Sequence, residues 1–308
     1  MAEAYHVPVM VREVVSYLRP ERGGLYFDGT VGGGGHSEAI LDAGNAARVI
    51  GVDRDPEALE AAARRLARYG ERVKLKRARY ADAAAQIEEP LAGALLDLGV
   101  SSRQIDEAGR GFSFRPGVPL DMRMAGAAVE GARTAAELLN ELPESELAAL
   151  FRHYGEERRA RRLAAEVVRR RRARPFRTSD DLVEVMERAL GPRPTVQDKA
   201  RIFQALRIAV NEELEELDRA LPVLREKLDA AGVLVVLSYH SLEDRRVKDA
   251  FREWSRGCVC PPELPVCRCR GRPLGEALTR KPVFASPEEV AANPRARSAR
   301  LRAWRKAA

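Results

Sequence analysis

The stretch LYFDGTVGGGGHS, residues 25–37, constrains the possible folds of this chain more than any other. It joins a short apolar strand, an acidic residue, a glycine loop and a helix start, the order that opens a nucleotide-type α/β site. The glycines at 32–35 carry no Cβ, so a ligand can approach the amides at the helix N-terminus. A Walker A loop is excluded, because Gly35 and His36 stand where Lys and Ser or Thr are required.

Two aspartates after successive strands indicate which ligand the loop takes. Asp28 ends the first strand, where a carboxylate would repel a pyrophosphate but attract the ammonium of a methionine moiety. This favours S-adenosylmethionine over NAD. Asp53 ends the next β-prone run at the spacing of a ribose-binding carboxylate, while Asp55 is better placed to cap the helix that begins near Pro56. A mobile turn is the alternative interpretation of the glycine run alone.

Length and composition place the chain among ordinary globular proteins. It has 308 residues, 45% of them hydrophobic, with no apolar run as long as a membrane span and no signal-peptide pattern at the N-terminus. We therefore expect a cytoplasmic protein with no membrane partner. Its four cysteines form a C-x-C-x6-C-x-C pattern (Cys258, Cys260, Cys267 and Cys269). Four thiolates could bind zinc, but the usual spacing is C-x2-C, so we expect a reduced loop and no metal.

The formal charge of +7 is unevenly distributed. Residues 158–177 hold ten arginines against one acid, Glu166, and a second basic run covers residues 295–306. Such surfaces suit phosphate, which favours a nucleic-acid partner. The alternative is a solvated helix face in an arginine-rich protein.

The order of patterns predicts an α/β sheet interrupted by helices. Strands are expected at 25–28, 48–53, 73–77 and 92–97, followed by helical segments from 105 to 203, one of them with Ser179 as N-cap. A long helix at 205–231, a buried strand at 232–238, a helix at 242–254 and a β-prone run at 282–285 follow. We predict a first, cofactor-binding part at 1–104, an inserted all-helical substrate-recognition subdomain at 105–204, and a second part of the same sheet domain at 205–308 ending in a basic tail.

Ligands of open α/β sheets bind beyond the carboxyl ends of the strands. Polar residues follow two further strands there: Asp97 with Ser101, Ser102 and Gln104, and the run Ser238, Tyr239, His240 and Ser241. Tyr80 follows the third strand, where it can lie against an adenine or pack into the core.

Several long strings carry a family resemblance. They are DGTVGGGGHS, GVDRD, LLDLGVSSRQID, GFSFRPGVPLDMRM, FQALRIAVNEEL, SYHSLEDRRVK and LTRKPVFASPEEVAANPRARSARLR. With them, nearly the whole chain resembles the ribosomal RNA small-subunit methyltransferase H, or MraW, family. The resemblance implies a Rossmann-like class I S-adenosylmethionine-dependent methyltransferase fold. It also implies N4-methylation of a decoding-site cytidine in 16S ribosomal RNA, within the small subunit or a late assembly particle.

Position by position, the resemblance places the cofactor against Gly34, Gly35 and His36, then Asp53, Tyr80, Asp97 and Gln104. His36 and Gln104 rest mainly on the family. The implied chemistry is attack of the cytosine amine on the sulfonium methyl, for which positioning is the main task and neither a metal nor a covalent intermediate is required.

The sequence does not identify the residue that accepts a hydrogen bond from the cytosine amine. Many amino-methyltransferases carry a Pro-Pro-aromatic motif after the fourth strand, whereas this chain has DLGVSS at 97–102. Our candidates are Asp97, Ser101 and His240, although His240 can equally be a buried structural imidazole. An NAD-linked oxidoreductase and a non-enzymatic, basic RNA-binding assembly factor are the alternative functions, and a homodimer is left open.

Overall fold

The computed structural model describes residues 8–126, 132–258, 260, 266, 268–269 and 271–308. The chain divides into two compact units, one formed by residues 1–99 with 214–308 and the other by residues 100–213. Within the described residues, no helix has the length and apolar character needed to cross a membrane.

The first unit contains one seven-stranded sheet. Its strands are β1 Gly24–Asp28, β2 Ala47–Asp53, β3 Val73–Arg77, β4 Leu91–Asp97, β5 Leu228–Ser238, β6 Gly275–Ala277 and β7 Arg300–Lys306. The helices of the whole chain are α1 Val11–Leu18, α2 Gly35–Ala43, α3 Pro56–Leu66, α4 Tyr80–Ala85, α5 Ser102–Asp106, α6 Ala135–Glu141, α7 Glu144–His153, α8 Ala160–Ala173, α9 Ser179–Leu190, α10 Val196–Asn211, α11 Glu213–Lys227, α12 Ser241–Trp254 and α13 Pro287–Ala292.

The strand order is β3-β2-β1-β4-β5-β7-β6. The first five strands are parallel, and β7 runs antiparallel to β5 and to β6. This is the predicted class I methyltransferase sheet, and the fold class is confirmed. Because the order reverses between β1 and β4, the loops after these strands diverge and leave a crevice at the carboxyl edge.

Apolar residues on alternate positions of the strands build a core on each face of the sheet. Phe27, Leu96 and Val236 pack on one face. Tyr26, Leu95 and Val235 pack on the other. Burial on both faces explains why β4 and β5 read as continuous apolar runs in the sequence, and it fixes the strand ends that carry Asp28, Asp53 and Asp97.

The predicted single helix over 205–231 is wrong. Two helices occupy this region, and they are separated by Glu212, whose backbone has a left-handed φ of 51°. The second helix ends at Lys227, because Leu228 already pairs with Leu91 in the sheet. The amphipathic pattern continues across the break, so periodicity alone does not reveal it.

The predictions for the end of the chain are also wrong. The run at 282–285 forms no strand, and Val283 makes only an isolated bridge to Leu301. The basic run is not a tail, because its second half is β7, in which Trp304 is fully buried. Arg302 is 5% exposed, and its guanidinium donates to Asp244 Oδ1 at 2.6 Å. Ion pairing therefore places arginine inside a sheet, where charge alone suggests solvent.

The second unit is helical, from α5 to α10, around its own apolar core, in which Phe151, Leu163 and Val185 are fully buried. Helix α9 begins at Ser179, but its N-cap is Thr178, so the prediction of Ser179 as the cap is wrong by one position. The Thr178 N–H donates to Asp181 at 3.0 Å, while the Ser179 hydroxyl donates to the Arg115 carbonyl at 2.6 Å.

Candidate functional site

Asp28 ties the glycine loop to the helix that follows it. The residue is 1% exposed, and its Oδ2 accepts a 2.7 Å hydrogen bond from the Ser37 hydroxyl. Its Oδ1 accepts from the Thr30 N–H at 3.2 Å. Burial raises the pKa of the Asp28 carboxyl. The structure thus gives Asp28 a role in holding the loop, and its contact with a ligand ammonium stays a prediction.

The glycine loop is packed tightly against its own protein. Gly34 has a left-handed φ of 83°, and α2 begins at the next residue. A Cβ on Gly34 would lie 3.2 Å from Leu66, and one on Gly35 would lie 2.8 Å from Pro8. Glycine is therefore required by the backbone and by close packing at these positions, in addition to any ligand that approaches the amides.

Asp53 links the glycine loop to the end of β2. Its Oδ2 accepts from the Gly32 N–H at 3.0 Å, and its Oδ1 accepts from the Asp55 N–H at 2.9 Å. Burial raises the pKa of the Asp53 carboxyl to about 6. The Arg54 N–H also bonds to this carboxylate. A carboxylate has about four acceptor sites, so it can still accept from a ribose hydroxyl. The predicted capping role of Asp55 is confirmed, since its side chain accepts from the Glu57 N–H at 3.1 Å.

Asp97, at the end of β4, is hydrogen-bonded to the loop after β1 and to the segment after β5. Its N–H donates to the Thr30 hydroxyl at 2.7 Å, which connects β4 to the loop after β1. Its Oδ1 accepts a 2.7 Å hydrogen bond from the phenol of Tyr239, just after β5. Burial and the neighbouring Asp97 charge raise the pKa of Tyr239 well above its ordinary value, so the phenol is a neutral donor. The Asp97 side chain is 13% exposed and remains reachable from outside.

His36 lies between the amino-terminal segment and Asp97. Its Nε2 is 2.8 Å from the Val9 carbonyl oxygen, so this nitrogen carries a proton and donates. Its Nδ1 is 3.6 Å from Asp97 Oδ2, and the residue is 6% exposed. The structure thus brings His36 and Asp97 together, as both were expected to line the site.

Tyr80 and His240 follow strands, as predicted, and both are held by their surroundings. Tyr80 is the first residue of α4 and packs half-buried against the core beside Gly29. His240 caps α12, where its Nδ1 accepts from the Glu243 N–H at 3.4 Å and its Nε2 lies 3.1 Å from Glu243 Oε1. His240 therefore has a structural role as the cap of α12, which is one of the two roles considered for its imidazole. A catalytic role for His240 and an adenine contact for Tyr80 stay predictions.

Ser101 and Gln104 belong to the second unit and bond to each other. The Ser101 N–H donates to Gln104 Oε1 at 3.0 Å, and the Gln104 N–H donates to the Ser101 hydroxyl at 3.2 Å. The Gln104 amide also donates to the Met124 carbonyl at 3.4 Å, and the residue is 7% exposed. Their places in the cofactor and catalytic sites stay predictions. The side chain of Ser102 lies outside the described residues.

Two groups can be distinguished among the arginines on and beside α8. Arg170 is 7% exposed, forms an ion pair with Asp181, and lies 4.7 Å from the ring centre of Phe176. Arg171 donates to the carbonyls of Leu139 and Leu142 at 3.0 and 2.7 Å. These two arginines therefore hold the helical unit together.

The other group is exposed. Its members, for which the described residues provide no side-chain ion pair or hydrogen bond, include Arg158, just before α8, and Arg161 and Arg172 on it. Arginines of this second group are available to a phosphate partner without loss of internal contacts. In the sequence these arginines form one basic run, so charge alone does not distinguish the buried arginines from the exposed ones.

Sequence reasoning missed Thr30 and Ser37 as partners of the two site aspartates. Thr30 follows Asp28 by two residues, and its N–H closes an Asx-type turn on that carboxylate. Such turns are local, so the short spacing was an available signal for Thr30. Ser37 follows Asp28 by nine residues and reaches it only after the glycine loop has folded back, so no local signal pointed to it.

Comparison with known proteins identifies relatives over the full length. The model of the MraW methylase family matches residues 3–307. A ribosomal RNA small subunit methyltransferase H from Gemmatimonas aurantiaca is 55% identical over 309 residues, covering 98% of this chain and 96% of the relative. A protein of the same name from Heliobacterium modesticaldum is 50% identical over 312 residues, covering 98% of each. A solved ribosomal RNA methylase from Streptococcus thermophilus is 10% identical and covers 100% of this chain and 99% of its own, but a TM-score of 0.44 supports no inference.

Proposed function

The chain belongs to the MraW methylase family, and from this premise we infer that it transfers a methyl group from S-adenosylmethionine to the RNA of the small ribosomal subunit. The family model and the relatives both span nearly the whole chain, so the inference covers the sheet and the helical insert together. The relatives' shared name supplies the reaction and the substrate class.

One observation in the site supports the cofactor most directly. Asp53 stands at the end of β2 with both oxygens already bonded to backbone amides and with lone pairs to spare. This arrangement suits the two hydroxyls of a ribose, and the N-terminus of α2, which begins at Gly35, follows directly after the glycine loop. When bound, S-adenosylmethionine supplies an electrophilic methyl group on a sulfonium.

We propose the N4 amine of a decoding-site cytidine in 16S ribosomal RNA as the acceptor. The amine nitrogen forms a bond to the methyl carbon as the carbon–sulfur bond breaks, and one amine proton must then leave. The lone pair of the amine is delocalised into the ring, so an acceptor aimed at its N–H would localise it. Asp97 is the best candidate, because its position is fixed by Tyr239 and its side chain is still partly exposed.

The inserted helical unit is proposed to recognise the RNA. Its exposed arginines on and beside α8, such as Arg158 and Arg172, provide positive charge that no internal partner neutralises among the described residues. The substrate particle, a small subunit or a late assembly intermediate, a cytoplasmic location and a possible homodimer belong to the same proposal, and light scattering would measure the oligomeric state.

The proposed function is tested with RNA and subunits from a strain that lacks this enzyme. Purified protein and labelled S-adenosylmethionine are incubated with naked 16S RNA and with isolated small subunits, and the modified base is mapped by mass spectrometry. One methyl group on N4 of a single decoding-site cytidine is the expected product. Methylation of another atom would contradict the proposed target.

Calorimetry separates the alternative functions. Binding of S-adenosylmethionine supports the methyltransferase, whereas binding of NAD would support an oxidoreductase. Binding of neither, with intact RNA affinity, would support an assembly factor without catalytic activity.

A further inference from the structure

The loop between α12 and β6 brings three cysteine sulfurs together. The Sγ atoms of Cys258, Cys260 and Cys269 all lie within 4.8 Å of one another. Cys267 lies outside the described residues, so the inference rests on the other three. The sequence expectation of a loop without metal was based on the short C-x-C spacing. The structure shows that this spacing does not prevent both cysteines of the first pair from joining Cys269 in one cluster.

The distance between two of these sulfurs fits a shared metal ion. Cys269 Sγ and Cys258 Sγ are 3.8 Å apart. Zinc binds thiolates at about 2.3 Å, so two thiolates on one tetrahedral ion stand about 3.8 Å apart. A disulfide requires about 2.0 Å. A [4Fe–4S] cluster attaches each of its cysteines to a different iron and separates them further. The cluster therefore has the dimensions of a site for a single ion.

A backbone contact supports the same assignment. The Arg268 N–H donates to Cys260 Sγ at 3.3 Å. Amide donors of this kind orient metal-bound thiolates and offset their charge. The two ends of the loop are also held together, because the Leu274 N–H donates to the Trp254 carbonyl at 2.8 Å. The described residues of the loop form no helix or strand, so an internal cross-link would supply order that secondary structure does not.

We propose that Cys258, Cys260 and Cys269 bind one structural zinc ion, which none of the proposed catalytic steps uses. Soft thiolate ligands select zinc over the hard cations. The ion would fix the loop that follows α12 and hold its arginines, including Arg268, in one arrangement.

The test begins with the metal content of the full-length protein without an affinity tag, purified without chelators and measured by inductively coupled plasma mass spectrometry. About one zinc per chain is expected. The variants Cys258→Ser, Cys260→Ser and Cys269→Ser should each reduce the zinc content at least tenfold. Arg268→Gln is the matched control from the same loop and should keep the metal, because it leaves the backbone N–H in place.

Two further measurements keep the proposal falsifiable if a serine variant folds poorly. Cobalt added to the metal-free wild type should give the intense near-ultraviolet absorption of cobalt–thiolate bonds, and zinc should abolish it. Trypsin should cut after Arg268, which Cys269 follows, at least several-fold faster once zinc is removed. A wild-type protein without zinc and without the cobalt–thiolate band would overturn the proposal, and so would zinc retained in all three serine variants. These readouts do not depend on methyl transfer, so they stand or fall separately from the proposed function.

Discussion

The phenol of Tyr239 donates a 2.7 Å hydrogen bond to Asp97 Oδ1, which joins the ends of the neighbouring strands β5 and β4. The two residues are 142 positions apart in the chain. Because the partner is a carboxylate in a partly buried site, this bond belongs to the stronger class of protein hydrogen bonds.

Tyr239→Phe tests how much this hydrogen bond contributes to stability. We expect the free energy of unfolding to fall by about 1.5 to 3 kcal/mol, because Asp97 loses a donor at a site with little access to water. Urea denaturation measures the change. Tyr69→Phe is the control, since Tyr69 donates to Asp42 at 2.6 Å but the Asp42 side chain is 55% exposed. If the free energy of unfolding falls equally in the two variants, the hydrogen bond to Asp97 contributes no more than one to an exposed carboxylate.

Affinity for S-adenosylmethionine should depend on pH through Asp53. Ribose hydroxyls donate to the ionised carboxylate, so binding should be constant above the raised pKa of about 6. Below it, affinity should fall by up to about tenfold per pH unit. For the protein without ligand the sign is opposite, because the folded state takes up this proton more readily than the unfolded state. The contribution of Asp53 to stability therefore rises as pH falls from 6 towards 4.

Asp53→Asn separates these effects. Asparagine has one acceptor oxygen where Asp53 has two that accept from backbone amides, so we expect cofactor affinity to drop by about 1 to 3 kcal/mol. The pH dependence between 5 and 7 should disappear in calorimetric titrations. If the variant keeps the pH dependence of the wild type, another group is responsible for it.

Gly34→Ala probes the glycine loop. A left-handed residue with a Cβ costs about 1 to 2 kcal/mol, and the new Cβ would lie 3.2 Å from Leu66. Gly117→Ala is the matched control, because Gly117 has a φ of 78° and open space around its missing Cβ. We expect similar backbone strain in both variants, but a loss of S-adenosylmethionine affinity of tenfold or more only at Gly34. Loss of affinity in both would indicate a general effect of stability.

Arg170 and Arg172 should differ sharply when substituted. Arg170→Met leaves the Asp181 charge without its partner in a buried position, which costs about 3 to 5 kcal/mol. Arg172→Gln changes an exposed residue and should stay within about 0.5 kcal/mol of the wild type. Thermal and urea unfolding measure both, and a stable Arg170→Met variant would contradict the structural role of that ion pair.

RNA affinity should depend on the exposed arginines of the second unit. The triple variant Arg158→Gln, Arg161→Gln and Arg172→Gln should flatten the dependence of log affinity on log salt by about 0.7 for each phosphate that the protein no longer neutralises. Binding of S-adenosylmethionine should be unchanged, since Asp53 and the glycine loop belong to the other unit. A charge-matched control replaces exposed arginines of the first unit, namely Arg19, Arg219 and Arg252. Equal salt slopes in the two triple variants would place the RNA-binding surface elsewhere.

The sequence predicted strands well wherever apolar runs end in a polar residue. The predicted strand at 73–77 coincides with β3, and the aspartates at 28, 53 and 97 each end a strand. The pairing of Tyr239 with Asp97 could not be predicted in the same way, because it depends on β5 returning beside β4 after the whole insert. Local periodicity carries no information about such a return.

Arg170 shows what sequence periodicity could still have supplied. It continues the buried stripe formed by Leu163 and Val167 on α8, at the spacing of one helix face. Its helical phase therefore distinguished it from its arginine neighbours, although its partner Asp181 lies on another helix. In β7, by contrast, the arginines alternate with apolar residues over too few positions for the strand to stand out from a basic run.

The antiparallel strand β7 has a consequence for the synthesis and folding of the chain. Until β7 docks, the strand beside it presents the apolar run 232–237 as an open sheet edge, which is a template for pairing with other chains. The bond from the Ser238 hydroxyl to the Arg300 carbonyl spans 62 positions, so a nascent chain must be extended that far before the edge is covered. Docking of β7 thus removes an aggregation-prone edge, and the period before it docks is when pairing with other chains is favoured.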